Sequence, residues 1–527
     1  MNSRNFADAL AAIGCDETTC ARFKHITLPF VPMPHQLAGL SYALNYGHSG
    51  LFFEPRTGKT LVLQMLAIYY AYCGMGTLQI MPPGLFQQFL HDYHAIEGHH
   101  LRLHVLRESP AARTRLMETW GSNPDKRPHV VLLSREIYKS AWASLYMQGF
   151  RITHFDESHL GLQSERSEIA KTIRQFIHQN TANRLVLSTG TPIPNQISNA
   201  YCTMNFLRPD IYKTRAAFDH AHCVYKTIYI PGKWGQPRGV PVIDSYTNLD
   251  YLSEAMYSRS VYAAKRDVLN LEAPNIQIVE CALRPKHRRL YTKVLNERIL
   301  EIGDTVIDAR AVQKLRQVAL QLITVPEEFA ESFNAEDSSV YETVAAIVDS
   351  VNPEKERVVV FANYIRSVES LARKFKAWEP AIVYGPNGPE KNAKEVERFH
   401  RDSDCRVLIA NPAAGGVGFK LGDVAQTVIF AEPVSSPGVF DQCLSRVMLK
   451  GQTEPVVCYI VRVQHTISEL AIDQMLNKAV EINQVTRSKR TLLDELLGRT
   501  KPDAETDPVS HRRQRTALPA AAEAVAL

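Results

Sequence analysis

Short apolar runs alternate with amphipathic segments from about residue 25 to residue 210, and the same alternation restarts after residue 355. Such a chain is held to parallel sheets with helices on both faces, because strands buried on both sides read as unbroken apolar runs and their crossovers must be helical. The expected strands of the first stretch are Leu51 to Phe53, Leu78 to Met81, Val130 to Leu133, Ile152 to Phe155 and Leu185 to Leu187. Those of the second are Arg357 to Phe361, Ala381 to Tyr384, Val407 to Ala410, Thr427 to Phe430 and Val456 to Val461. Apolar residues three and four apart mark helix faces between them: Ile169, Ile173, Phe176 and Ile177 in the first stretch, and Val368, Leu371, Ala372 and Phe375 in the second. Two α/β lobes follow. Residues 211 to 350 break the pattern with a long helical segment from about Pro285 to Leu322 and a loop from Pro326 to Ser339. The cationic run Arg284-Pro285-Lys286-His287-Arg288-Arg289 reads either as a solvated helix surface or as a phosphate-contacting patch.

Two of the expected strands end on residues suited to a nucleotide and its metal. Thr57-Gly58-Lys59-Thr60 follows Leu51-Phe52-Phe53, and Asp156-Glu157 closes the run Ile152 to Phe155. Glycine lets backbone N–H groups wrap phosphates without a Cβ clash, Lys59 offers a point charge to the β- and γ-phosphates, and the Thr60 hydroxyl can ligate Mg²⁺. Asp156 would hold that metal through its waters, and Glu157 would orient or deprotonate an attacking water. Phe53 stands where the full phosphate-loop pattern has its opening glycine. Each signal alone is weak, but both occur in the right order behind apolar strands. Together they point to an ATPase with ATP and Mg²⁺ as cofactors.

At 527 residues the chain exceeds one compact core, and two large domains are expected. No apolar run of about eighteen residues crosses a bilayer, and Met1-Asn2-Ser3-Arg4-Asn5-Phe6 lacks the layout of a secretion signal, so a cytoplasmic location is expected. The nine cysteines are scattered without zinc spacing and read as reduced packing residues. The formal charge of +5 permits nucleic-acid binding without demanding it. From about Thr486 the chain turns polar and basic and ends Ala-rich, as expected of a disordered tail.

Further strings resemble helicase superfamily two, closest in wording to the Swi/Snf-type DNA-translocating ATPases. Pro34-His35-Gln36-Leu37-Ala38-Gly39-Leu40 resembles that family's Gln-containing element, in which the Gln36 amide would pair with adenine. Arg184 to Asn195, which includes Ser188-Thr189-Gly190-Thr191-Pro192, is similar to the third motif, and Asn205 to Asp210 continues the match. Ala413-Ala414-Gly415-Gly416-Val417-Gly418-Phe419 resembles the fifth motif. Phe440-Asp441-Gln442-Cys443-Leu444-Ser445-Arg446 with Lys450-Gly451-Gln452 resembles the sixth.

The resemblance implies two RecA-like parallel-sheet lobes with a helical insertion: an N-terminal extension 1–24, lobe one 25–280, the insertion 281–350, lobe two 351–485 and the tail 486–527. It implies Arg446 as an arginine finger, and Gln442 beside Gln36, Thr57, Gly58, Lys59 and Thr60 in nucleotide binding. Nucleic-acid contacts would come from Pro83, Gly84, Ser134, Arg135 and Gly416, through groups that reach phosphates without reading bases. Thr189 and Thr191 would couple ATP state to that grip. The implied activity is DNA-stimulated ATP hydrolysis driving translocation on, or remodelling of, duplex or branched DNA, by a monomer with no membrane partner. RNA is a lesser alternative substrate. The chain departs from the family pattern at Leu449, where a second sixth-motif arginine is usual, at Asn411-Pro412 in place of a Ser-Thr pair, and at Phe89 near an expected tryptophan. Those departures leave open a nucleotide-gated nucleic-acid-binding protein with decayed hydrolysis. The compact layout points to a bacterial or phage source.

Overall fold

The computed structural model describes residues 3–231, 237–269, 271, 273–297, 299–302, 305–308, 312–334, 337–351, 356–415, 419–449, 452 and 455–486. They form two compact units: one of the described residues up to Leu269 together with those from Glu481 onward, the other from residue 271 to Val480. The Gly416 expectation, the Lys450-Gly451 pair and the tail from residue 487 lie outside the described residues.

The first unit is built on seven parallel strands: β1 (His48–Phe53), β2 (Gly76–Ile80), β3 (Leu103–Val105), β4 (Val130–Leu133), β5 (Phe150–Asp156), β6 (Arg184–Ser188) and β9 (Ser260–Ala263). Their spatial order is β3-β4-β2-β5-β6-β1-β9. Side chains alternate between two cores. Leu51, Phe53, Val130, Leu132 and Val186 face one, while Phe52, Val131, Leu133, Leu185 and Leu187 face the other. This two-sided burial is what the unbroken apolar runs require. The helix Glu168–Gln179 lays Ile169, Ile173 and Phe176 on the second core, as the stripe predicts. The first two dozen residues are integral to this unit. Phe6, Leu10 and Phe23 are fully or almost fully buried, and Phe23 stacks on Tyr69 of the helix Lys59–Tyr72 at 5.6 Å. A hairpin of β7 (Cys223–Pro231) and β8 (Pro237–Tyr246), absent from the sequence reading, fills part of the irregular span.

The second unit carries six parallel strands in the order β10-β17-β16-β13-β15-β14, with β10 (Asn275–Cys281), β13 (Arg357–Phe361), β14 (Ala381–Val383), β15 (Val407–Ala410), β16 (Ala425–Phe430) and β17 (Val457–Val463). Strand β10 corrects the boundary expected at residue 280. It pairs in parallel with β17 from Asn275↔Val457 to Cys281↔Val463, and Ile276 lies in the core of the second unit.

The insertion expected at 281–350 is likewise part of this unit. Leu283, Val318, Leu322, Val344 and Val348 share one apolar core with Val358, Val360, Ile409 and Ile429 of the sheet, so the helices need the sheet to cover their apolar faces. Its long helical segment is two helices, Pro285–Glu297 and Val312–Thr324, interrupted by a hairpin of β11 (Ile299–Ile302) and β12 (Thr305–Asp308). Those interrupting residues are rich in Ile, Val and Thr, which favour strands.

The cationic run is largely engaged inside the unit. Arg288 donates to the Gln464 carbonyl at 2.8 Å and to that of His465 at 2.7 Å, Arg284 pairs with Glu342, and Lys286 lies 4.2 Å over the Phe333 ring. His287 is fully buried, its Nε2–H donating to the Leu322 carbonyl at 2.7 Å. These contacts fasten the helix, while Arg284, Lys286 and Arg289 remain exposed on its surface. All nine cysteines are free thiols, six of them buried. Among the described residues no helix is long and apolar enough to cross a membrane.

Candidate nucleotide and nucleic-acid site

Strand β1 ends at Phe53, and the loop Glu54–Gly58 turns the chain into the helix Lys59–Tyr72. Gly58 makes that turn possible at φ 84°, and a Cβ there would lie 2.1 Å from Gln36 Nε2. Lys59 is buried, and its ammonium donates to the Phe53 carbonyl at 2.8 Å. Thr60 occupies the first turn of the helix and is half-buried. Thr57 Oγ1 donates to the Glu54 carbonyl at 2.8 Å.

The Gln36 side chain braces the same loop. Its Oε1 accepts from Met33 N–H at 2.8 Å and its Nε2 donates to the Gly58 carbonyl at 3.2 Å. One lone pair and one N–H of that amide remain for any further partner. His35 donates through Nε2–H to the Thr57 carbonyl at 2.7 Å, since a carbonyl can only accept. At the loop's start, the Glu54 carboxylate accepts from Tyr262 Oη at 2.6 Å and from Lys265 N–H at 2.9 Å, tying the loop to the far edge of the sheet.

Strand β6 lies between β1 and β5, so the strand ends that carry Lys59 and Asp156 stand two strand spacings apart, roughly 10 Å. Ser188 at the end of β6 donates to Asp156 Oδ1 at 2.8 Å, and the next residue, Thr189, donates its N–H to the Leu51 carbonyl of β1 at 3.1 Å. Gly190 then presses on the loop. A Cβ there would come within 2.8 Å of Pro55 Cδ and 3.3 Å of the Phe53 carbonyl oxygen. Glu157 turns the chain at φ 48°, a left-handed conformation uncommon for a residue with a side chain and typical of functional sites. Its carboxylate lies 3.4 Å from His159 Nδ1, which is 2.8 Å from Thr189 Oγ1, and Thr189 Oγ1 accepts from Thr191 N–H at 3.0 Å. An unbroken polar line therefore runs from Glu157 through His159 to Thr189 and Thr191. Ser188 and Gly190 stand inside the quoted third-motif string and His159 two residues past Glu157, but spacing alone gave them no partner.

Burial pushes the Asp156 carboxyl up to about 6, the charge of Glu157 adds to the rise, and Lys59 and the Ser188 hydroxyl oppose it. A carboxyl raised above its ordinary value of 3.8 stabilises the fold most below 3.8, and that stability is lost as pH climbs from there through about 6. Asp156→Asn is therefore expected to raise the thermal midpoint of the free protein at pH 7.5, with the gain shrinking to nothing near pH 4. Melting curves across that range check it, and an equal or lower midpoint for the variant at pH 7.5 contradicts the assignment.

The nucleic-acid candidates of this unit sit at the same strand ends. Pro83 and Gly84 form an exposed turn just beyond β2. Ser134 follows β4 and caps the helix Arg135–Met147 by accepting from Ile137 N–H at 3.3 Å. Arg135 donates to the Leu160 carbonyl at 2.6 Å, which joins that end to the segment after Glu157.

In the second unit Gln442 and Arg446 lie on the helix Pro437–Val447, both half-buried, with Arg446 in its last turn. The backbone fixes this end: Arg446 O accepts from Leu421 N–H at 3.0 Å. Gln452 pins the turn beyond, accepting from Leu449 N–H at 2.9 Å and donating to the Val447 carbonyl at 2.8 Å and the Gly422 carbonyl at 3.1 Å. Asn411 accepts from Ala413 N–H at 2.9 Å and opens the short helix Pro412–Gly415, so Asn411-Pro412 builds a helix start in place of two hydroxyls.

Two parallel-sheet α/β units, the first with a glycine-turned loop beside a buried Asp156 and a half-buried Glu157, define a protein of the RecA-like class. The chain belongs to the SNF2-related family: the SNF2-related domain matches residues 35–330, and the helicase conserved C-terminal domain matches residues 340–451. It is similar to the ISWI chromatin-remodeling complex ATPase CHR17 of Arabidopsis thaliana, at 22% identity over 89% of this chain and 44% of that protein. It is also similar to the DNA repair and recombination protein RAD54-like of Drosophila pseudoobscura pseudoobscura, at 24% identity over 69% of this chain and 50% of that protein. The chain thus spans half or less of these relatives. A solved structure titled Sulfolobus solfataricus SWI2/SNF2 ATPase core in complex with dsDNA aligns at 16% identity and a TM-score of 0.38, covering 89% of this chain and 95% of that one.

Proposed function

We propose that the chain is a DNA-stimulated ATPase of helicase superfamily two that couples hydrolysis to translocation on, or remodelling of, duplex or branched DNA. The observation that carries this reading is the polar line from Glu157 through His159 to Thr189 and Thr191, beside a loop that holds Lys59 and a buried Asp156. It joins the acidic couple to the third-motif turn, which a nucleotide sensor requires and a purely structural turn does not. The donor set suits Mg²⁺. Among the described residues no group of three or more His, Cys, Asp or Glu could hold an ion unaided, and Mg²⁺ characteristically takes one or two carboxylates and completes its shell with waters and substrate phosphates. When bound, the ion neutralises charge developing on the transferred phosphoryl group.

The protein's own part is positional. Lys59 leaves the Phe53 carbonyl for the β- and γ-phosphates, Thr60 would ligate Mg²⁺ and Asp156 would hold it through its waters, and Glu157 orients the attacking water and accepts its proton. His159 holds the Glu157 carboxylate in place and passes its position to Thr189. Gln36, with one donor and one acceptor remaining, reads the adenine edge, and Gln442 and Arg446 act from the second unit. Pro83, Gly84, Ser134, Arg135 and Gly416 contact the sugar–phosphate backbone. The proposal takes the enzyme to be a cytoplasmic monomer.

Phosphate release measured with single-stranded DNA, duplex DNA, forked DNA and RNA in turn tests it. Duplex or forked DNA is expected to stimulate most. A rate unmoved by every nucleic acid overturns the proposal, and strongest stimulation by RNA replaces it with an RNA helicase.

A further inference from the structure

Arg56 is a strained residue inside the loop Glu54–Gly58, just ahead of the Thr57-Gly58-Lys59-Thr60 string. Thr57 donates to the Glu54 carbonyl through its N–H at 3.3 Å and through Oγ1 at 2.8 Å, which closes a turn over Glu54-Pro55-Arg56-Thr57. Proline fits the second place of such a turn, and a positive φ at the third place suits glycine or asparagine. Arg56 holds that third place at φ 70°, a left-handed backbone that a side chain makes costly.

The turn is fixed from several sides. The Glu54 carboxylate accepts from Tyr262 Oη and Lys265 N–H, His35 donates to the Thr57 carbonyl, and a Cβ on Gly190 would lie 2.8 Å from Pro55 Cδ. All of these contacts are made by other residues, so glycine at position 56 would keep them at a lower backbone cost. The reason for an arginine lies in what its side chain adds.

Charge supplies that reason. In this unit the Lys59 ammonium stands against two carboxylates, Asp156 and Glu157; burial and then the Glu157 charge raise the Asp156 carboxyl to about 6, while Lys59 opposes the rise. The phosphates of a nucleotide add several more negative charges, so these groups leave the site short of positive charge even with a divalent ion present. Arg56 is three residues ahead of Lys59 on the same loop and half-buried, where partial desolvation strengthens a charge pair. Its guanidinium offers a planar fork of N–H donors that matches two phosphate oxygens at once, which an ammonium does not.

We propose that Arg56 is a second cation of the nucleotide site, its guanidinium binding phosphate oxygens of the nucleotide alongside Lys59. The proposal rests on the ATPase reading above and adds a binding residue that the motif strings omit. It commits to the phosphates and not to the base or sugar, because a forked cation recognises paired anionic oxygens.

The test compares full-length wild type with Arg56→Gly and Arg56→Asn, both suited to the left-handed backbone, and with Arg56→Lys. Lys391→Gln, at an exposed lysine on the helix Gly388–Arg401, controls for net charge. Binding of fluorescently labelled ATP is read by anisotropy with Mg²⁺ and without nucleic acid, inorganic tripolyphosphate serves as competitor, and melting curves are recorded without nucleotide. Arg56→Gly and Arg56→Asn are expected to weaken binding of ATP and of tripolyphosphate by about ten- to a hundredfold, the contribution of a charge-assisted hydrogen bond. Arg56→Lys should lose less than either, because it keeps the charge without the fork. The thermal midpoints of Arg56→Gly and Arg56→Asn should match or exceed that of the wild type, and Lys391→Gln should bind as the wild type does.

Wild-type affinity in both Arg56→Gly and Arg56→Asn overturns the assignment, as does an equal loss in Lys391→Gln. Weakened ATP binding with tripolyphosphate affinity intact overturns it in favour of a contact to base or sugar. Weakened binding with a midpoint below that of the wild type overturns it in favour of a role in holding the turn. Failure of the wild type itself to bind ATP removes the ATPase reading instead, so the two failures are distinguishable.

Discussion

Glu157→Gln is expected to cut DNA-stimulated phosphate release by about two to four decades, the usual contribution of a positioned general base. The substitution keeps the size of the side chain and an acceptor oxygen for His159, but removes the charge and basicity needed to take a proton from water. His159 lies 3.4 Å from that carboxylate and is buried, so the fold should survive with a thermal midpoint near that of the wild type. Lys59→Ala should abolish turnover as well, with a lower midpoint, because the buried ammonium donates to the Phe53 carbonyl and hydrogen bonds to charged groups are worth about 1.5–3 kcal/mol. Phosphate release at saturating DNA and ATP, paired with melting curves, reads both. Turnover at the wild-type rate in Glu157→Gln removes the assignment of the base.

Arg446→Ala carries the other large effect, a loss of about three to five decades if its guanidinium meets the charge on the transferring phosphoryl group. The helix Pro437–Val447 ends one residue beyond Arg446, and its end is held by the Gln452 side chain, which donates to the Val447 carbonyl. Leu449 is the informative companion. It stands where the family usually has a second arginine, and its side chain rests against Gly422, whose added Cβ would come within 2.8 Å of Leu449 Cγ. Single-turnover hydrolysis in Arg446→Ala measures the loss of the one cation, and Leu449→Arg is expected to raise the rate. A wild type that clamps DNA on ATP with negligible phosphate release would establish the decayed-hydrolysis alternative. Vigorous turnover eliminates that alternative, and an unchanged rate in Arg446→Ala removes the arginine finger.

Local order in the sequence was enough for the strands covered on both faces and for the loop. The runs at Val130, Arg357 and Val407 begin and end where expected, because a strand covered on both faces must be apolar throughout and leaves no periodicity to confuse. The edge strands β3 and β9 and the first strand of the second sheet, β10, escaped notice because they are short or half-exposed. The hairpin β7–β8 is largely solvent-exposed and carries no apolar alternation to betray it.

Sequence by itself singled out the candidate site residues: Gly58 for the turn, the cation Lys59 behind it, and the acidic Asp156 with Glu157 at a strand end. Those assignments need only the chemistry of phosphate and metal and the order of neighbours along the chain. Tertiary structure alone decided that β6 runs between β1 and β5, since strand order in a parallel sheet is set by crossovers that leave no mark on local composition. From that placement come the Ser188 hydrogen bond to Asp156, the pressure of Gly190 on the loop Glu54–Gly58, and the line through His159. Gln36 as a brace of that loop belongs to the same category, because it depends on a contact between residues distant in the chain.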